Sequence, residues 1–100
     1  MSVISIPAVN QNAVVVLPAV LGMFHVITQI AYSYSAVPIG GRLTVVDDVT
    51  TRFDQDIALS GRDVFDISIA SVAPNTAMTV TLFAGGLTVQ GKLVVQSYDY

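Results

Sequence analysis

The chain of 100 residues contains no cysteine and few charged residues. Without cysteine, neither a disulfide nor a metal site built from thiolates can form. Charged residues make up 11% of the chain, whereas a typical soluble domain has about 25%. A chain of this length forms one small domain with a large surface relative to its volume. Apolar side chains must therefore be exposed on that surface or be covered by neighbouring molecules.

The few charges are distributed unevenly along the chain. The first 41 residues contain no Asp, Glu, Lys or Arg, and nine of the eleven charged side chains fall between Arg42 and Asp66. Charges on exposed strand edges normally discourage edge-to-edge pairing, so their absence from residues 1–41 indicates that other molecules cover those edges. We therefore expect a homo-oligomer whose contacts draw on residues 1–41 and the carboxyl-terminal tyrosines more than on residues 42–66.

The four basic residues lie far apart in the sequence, and the net charge is −3. Nucleic-acid binding requires a basic patch, so we do not expect a DNA or RNA partner. Residues 13–27 are mostly apolar but are interrupted by Pro18, Gly22 and His25. A signal peptide requires basic residues before its apolar run, and no Lys or Arg precedes this one. The run is also too short and too interrupted for a membrane span. We interpret it as buried strand and expect no membrane partner.

Apolar and polar side chains alternate with a period of two along most of the chain. Such alternation is typical of antiparallel strands that pack one face on a core. It predicts one all-β domain over residues 1–100, an antiparallel β-sandwich of seven or eight strands with jelly-roll or immunoglobulin-like Greek-key order. Within residues 23–35 the alternation predicts that the even-numbered side chains lie on one face of the strand and the odd-numbered side chains on the other. The predicted strands are 3–6, 13–17, 23–35, 43–47, 52–59, 63–70, 77–83 and 89–97.

Turn-forming residues separate these strands at the spacing expected of a sandwich. Gly91 falls inside a strand pattern, which predicts either a bulge or a close approach of two backbones. Two Gly-Gly pairs lack the flanking residues of a phosphate-binding loop and are interpreted as hairpin turns. The predicted turns are Pro38–Gly41, Asp47-Asp48, Ser60-Gly61, Pro74-Asn75 and Gly85-Gly86.

No group of residues has the composition of a catalytic site. His25 is the single histidine and has no recognisable catalytic partner, so we expect a half-buried or interfacial strand residue. Asp47, Asp48, Asp54 and Asp56 lie close together, yet their spacing does not match a calcium-binding EF-hand loop. We interpret them as turn residues and a solvated strand face. The sequence thus predicts neither an enzyme nor a bound cofactor or metal ion.

Six apolar or aromatic side chains are predicted to contact other molecules. Two of them are aliphatic residues of the uncharged first part of the chain. The other four are tyrosines, which are enriched in interfaces because the ring supplies contact area and the hydroxyl a polar tip. For the first two tyrosines, packing inside the domain is an equal alternative. The six residues are Val15, Leu17, Tyr32, Tyr34, Tyr98 and Tyr100.

Several segments of the chain resemble small proteins encoded among the structural genes of tailed bacteriophages. The similarity covers most of the chain from His25 onward and consists of strands and turns without a catalytic signature. The segments that carry it are His25–Ile27, Tyr32–Ala36, Pro38 with Gly40–Val45, Phe53–Ile57, Asn75–Leu82, Ala84–Gly86 and Gly91–Leu93.

This resemblance implies a virion structural protein, foremost a head decoration (cement) protein on the capsid surface, often trimeric. Its expected partners are further copies of itself and the major capsid protein, after synthesis in the host cytoplasm. A tail, neck or fibre-associated β-sandwich is the alternative within a virion. A carbohydrate- or ligand-binding sandwich module is the alternative from another class, although the chain has no Trp. No individual functional residue is implied, because such proteins act through surfaces.

Overall fold

The computed structural model describes residues 2–100, which form eight β-strands and contain no helix. Each strand predicted from the alternation is present, with its ends within two residues of the predicted positions. In chain order, strands β1 to β8 are Ser2–Ser5, Ala13–Leu17, His25–Tyr34, Gly41–Asp47, Thr50–Ile57, Gly61–Ala70, Met78–Leu82 and Gly91–Asp99.

The eight strands form two antiparallel sheets of four strands. Sheet A has the order β1-β8-β3-β6, and sheet B has the order β2-β7-β4-β5. Only β4 and β5 are consecutive strands that pair with each other, and all the remaining connections cross from one sheet to the other. This is the strand order of a jelly roll. The predicted all-β sandwich is confirmed. Of the two predicted strand orders, jelly roll and immunoglobulin-like Greek key, the structure has the jelly roll. The prediction that the two Gly-Gly pairs form hairpin turns is wrong, because both pairs lie at connections between the sheets.

The core lies between the sheets and takes every second side chain of the strands. In β2, Ala13, Val15 and Leu17 are buried, whereas Val14 and Val16 are 43% and 52% exposed on the outer face of sheet B. The same alternation continues in the neighbouring β7 and in β8 of the other sheet. One face of each sheet thus becomes the core, and the other face is open to contact.

Strand β3 contains a β-bulge at Thr28, where its register with both β6 and β8 shifts between Ile27 and Gln29. An extra residue in one strand moves all residues on one side of it to the other face. Ile27 and Ile30 are therefore both buried, while Thr28 is exposed. The predicted even-numbered face over residues 23–35 is wrong before the bulge, because a period of two does not continue across an inserted residue.

Tyr34 joins the two sheets at the point where β8 begins. Its hydroxyl donates a hydrogen bond to the carbonyl oxygen of Phe83, over 2.7 Å. A Cβ at Gly91 would lie 3.1 Å from a methyl carbon of Leu82 and 3.5 Å from the Tyr34 ring. The close approach at Gly91 is therefore made by side chains and not by the second backbone that was predicted, and the pairing of Gly91 with Tyr34 shows no register shift.

Two predicted turns contain a non-glycine residue with a left-handed backbone. Asp48 has a φ of 56° and Asn75 a φ of 61°. Asp and Asn tolerate this region better than other non-glycine residues because their short polar side chains bond to nearby backbone groups. The turn chemistry thus agrees with the two predicted turn positions.

Replacing Val15 with Ala will destabilise the domain more than replacing Val16 with Ala. Val15 is 2% exposed, so the lost methyl groups leave a cavity, and we expect the free energy of unfolding to fall by about 2 kcal/mol. At the exposed Val16 the loss should stay within about 0.5 kcal/mol. Equilibrium unfolding in urea measures both values. Equal losses would contradict the assignment of Val15 to the core.

Candidate interaction surfaces

Four of the six predicted contact residues belong to the core. Val15, Leu17, Tyr32 and Tyr34 are 2%, 2%, 8% and 2% exposed. Burial also raises the pKa of the Tyr32 and Tyr34 hydroxyls, because an apolar surrounding disfavours the charged phenolate. The expected role of Val15 and Leu17 at an interface is therefore corrected, because their side chains fill the space between the sheets. For Tyr32 and Tyr34, packing inside the domain is the observed one of the two alternatives. Alternation alone marked these residues as apolar but did not show that their partner is the opposite sheet.

Tyr98 and Tyr100 are exposed, by 53% and 59%. Their ring centroids are 6.3 Å apart, and the Tyr100 ring stacks on Phe24 at 5.3 Å. The backbones of Phe24 and Tyr100 exchange two hydrogen bonds, of 2.8 and 3.1 Å. The three rings form an aromatic cluster at one end of sheet A, and contact between this cluster and a neighbouring molecule stays a prediction.

His25 is buried, and both of its ring nitrogens have partners. Nδ1 lies 2.6 Å from a carboxylate oxygen of Asp99, and Nε2 lies 2.7 Å from the carbonyl oxygen of Pro18. The backbone N–H of His25 also donates to the hydroxyl of Ser71. The imidazole thus ties the segment after β2 to the end of β8, and it is more deeply buried than the half-buried position that we predicted.

The four aspartates of residues 47–56 do not converge on one point. Asp47 is buried, and one of its oxygens accepts hydrogen bonds from Arg52 (3.1 Å) and from the backbone N–H of Val72 (3.0 Å). Asp54 accepts a hydrogen bond of 2.7 Å from Nε of Arg42. Among residues 2–100, no three metal-binding side chains of the His, Cys, Asp or Glu type are close enough to hold an ion.

An uncharged surface that the sequence analysis did not identify lies at one end of the sandwich. Because consecutive strands run in opposite directions, the alternate connections 6–12, 35–40, 58–60 and 83–90 meet at this end, which we call the loop end. None of these segments contains a charged residue. Their exposed large apolar side chains are Ile6, Val9, Val37, Ile39, Leu59 and Leu87.

Hydrogen bonds between the loops hold the loop end together. The N–H of Ile39 donates to the carbonyl oxygen of Gly85 over 2.7 Å, and the N–H of Ser35 donates to that of Gln90 over 3.0 Å. The amide of Gln90 in turn donates to the carbonyl oxygen of Pro7, over 2.8 Å. Three of the four loops are thus fixed to one another. The apolar side chains on these three loops are therefore displayed by a hydrogen-bonded framework.

Comparison with known proteins gives no family assignment. No protein-family model matches the chain, and a search of curated proteins finds no significant match. Within the described part of the chain, no helix is long and apolar enough to cross a membrane.

The ion pair between Arg42 and Asp54 will make part of the stability pH-dependent. The hydrogen bond and the charge of Arg42 hold the pKa of the Asp54 carboxyl below its usual value. The unfolded pKa of an aspartate is about 3.9. The pair therefore stabilises the fold above about pH 4, and this contribution is lost as the pH falls through the folded pKa.

An NMR titration of the carboxyl groups measures this shift directly. We expect Asp54 to protonate at lower pH in the native protein than in the Arg42→Gln variant. The Arg62→Gln variant is the matched control, because Arg62 makes no ion pair within residues 2–100. An unchanged Asp54 titration in the Arg42→Gln variant would contradict the assignment.

Proposed function

We propose that this chain is a virion structural protein, specifically a capsid decoration (cement) protein that binds neighbouring major capsid subunits. It is made in the host cytoplasm, acts on the capsid surface as a homo-oligomer, most simply a trimer, and has no catalytic role. The major capsid protein and further copies of the chain are the proposed partners.

The observation that carries this proposal is the loop end. Leu59, Leu87 and Ile39 are 78%, 82% and 83% exposed there, and no charged residue belongs to its loops. Large exposed apolar patches on small proteins usually mark contacts with other macromolecules. Burying one such side chain contributes about 2 kcal/mol, so a few of them supply a useful contact. A shell that presents many copies of the site adds avidity.

The fold is compatible with this role. Jelly rolls occur in viral capsid proteins, and also in lectins and cupins. Function depends on the site that a fold carries. The resemblance of the segments from His25 onward to phage structural proteins points to the virion among these possibilities.

Charge insertion at the loop end will reduce capsid binding. Burying an aspartate without a partner is costly, so we expect Leu87→Asp and Ile39→Asp each to weaken binding by at least about tenfold. Binding is measured by co-sedimentation with capsids assembled in the absence of this protein. Leu21→Asp is the matched control, since Leu21 is 90% exposed at the opposite end of the sandwich.

Other outcomes of this experiment would place the function elsewhere. Loss of binding in Leu21→Asp or Tyr98→Asp, with Leu87→Asp unaffected, would move the contact to the aromatic cluster. Failure of the native protein to bind capsids would overturn the decoration role. Immunogold labelling of whole particles would then distinguish a tail, neck or fibre position from absence in the virion.

A further inference from the structure

The two basic side chains without an ion pair in residues 2–100 lie together on the outer face of sheet A. Arg42 and Arg52 are paired with aspartates, whereas Arg62 and Lys92 are not. Arg62 lies opposite Ser33 on one side, and Lys92 lies opposite Ser33 on the other. Two free cations therefore flank one hydroxyl across three adjacent strands.

An apolar row runs beside this basic row. Ala31, two residues before Ser33 in β3, lies between Val64 of β6 and Val94 of β8. Because β3 has small side chains here and its neighbours have larger ones, the face contains a groove of about 510 Å³. Two residues along a strand correspond to about 7 Å, which is the spacing between the basic and apolar rows.

The rim of the groove also carries one acidic residue. Asp63 lies on the edge strand β6, where its carboxylate accepts the N–H of Val64 over 2.8 Å. It lies opposite Tyr32, whose side chain points into the core. The groove thus keeps a net positive charge from Arg62 and Lys92.

The tip of the β4–β5 hairpin has the complementary chemistry. Asp48 and Val49 form the two-residue turn between Asp47 and Thr50. Val49 is 87% exposed, and no hydrogen bond or ion pair of the Asp48 carboxylate occurs within the described chain. The hairpin tip therefore presents one free carboxylate beside one exposed apolar side chain.

We propose that the hairpin tip of a second copy of this chain occupies the groove. The Asp48 carboxylate lies between Arg62 and Lys92, and Val49 packs on Ala31 between its two valine neighbours. The tip cannot reach the groove of its own chain, because it lies at the end of the sandwich opposite the loop end, on the other sheet. The partner is therefore another copy.

Such a contact joins two different surfaces, so it is a heterologous interface. Heterologous contacts generate a ring when the rotation closes and an open chain when it does not. This inference rests on the proposed self-association and not on the capsid. Both experiments below are done in solution without capsids, so their failure and a failure of capsid binding are separate results.

Cysteine cross-linking tests the contact directly. Because the chain has no cysteine, single cysteines can be introduced without background. We expect a disulfide-linked dimer when Ala31→Cys and Val49→Cys variants are mixed under mild oxidation, and far less dimer from either variant alone. Mixing Ala31→Cys with Asp56→Cys is the matched control, because Asp56 is exposed on the outer face of sheet B. Circular dichroism verifies that each variant is folded.

The proposal is overturned by three outcomes of cross-linking. They are no dimer in the mixture of the variants at positions 31 and 49, equal dimer formation with the control variant, or efficient dimer formation by Ala31→Cys alone. The last outcome would indicate a symmetric contact between two grooves.

Charge reversal provides an independent test by sedimentation velocity. Asp48→Lys and Arg62→Glu should each weaken self-association by about tenfold or more, and an equimolar mixture of the two should restore pairing between unlike variants. The same association should weaken as salt is added. Asp56→Lys has the same change in charge as Asp48→Lys and serves as control. Equal weakening by the control, or no recovery in the mixture, would count against the hairpin in the groove.

Discussion

The rest of this structure depends on one constraint: each sheet must bury one of its faces against the other sheet. A strand turns alternate side chains to opposite faces, so the position of one residue determines which neighbours enter the core. Val15 and Val16 are chemically identical neighbours, yet one lies between the sheets and the other on the surface. The bulge at Thr28 preserves this arrangement locally by exchanging the two faces of β3.

The same constraint explains where the charges lie. Strands β5 and β6 are edge strands of the two sheets on the same side of the sandwich, and they carry six of the nine charged residues between Arg42 and Asp66. Charged side chains on an edge discourage pairing with another sheet. The opposite edges, β1 and β2, carry none. The uneven charge seen in the sequence therefore corresponds to two sides of the sandwich, one with charged edge strands and one without charge.

Prediction from sequence succeeded where the signal is local and failed where it is not. Strand positions follow from alternation and turn residues such as Asp48 and Asn75, whose backbone preferences act within a few residues. The assignment of Val15 and Leu17 to an interface failed, because an apolar pattern indicates that a strand face is buried but not which surface buries it. The signal for the loop end was present, since the alternate connections of an antiparallel sandwich share an end and these four lack charge. The loop end was not predicted, because the distribution of charge was considered by position in the sequence and not separately for each connection between strands.

The sequence by itself determined an all-β domain, the approximate bounds of its eight strands and the absence of charge from its first 41 residues. The fold class and the strand bounds depend on period-two alternation and turn chemistry, which are properties of residues close together in the sequence. Only the tertiary structure decided the jelly-roll order, the burial of Tyr32 and Tyr34, and the meeting of Ile39, Leu59 and Leu87 at one end. Strand pairing joins residues that are distant in sequence through backbone groups that all residues share, so side-chain patterns alone do not specify which strands become neighbours.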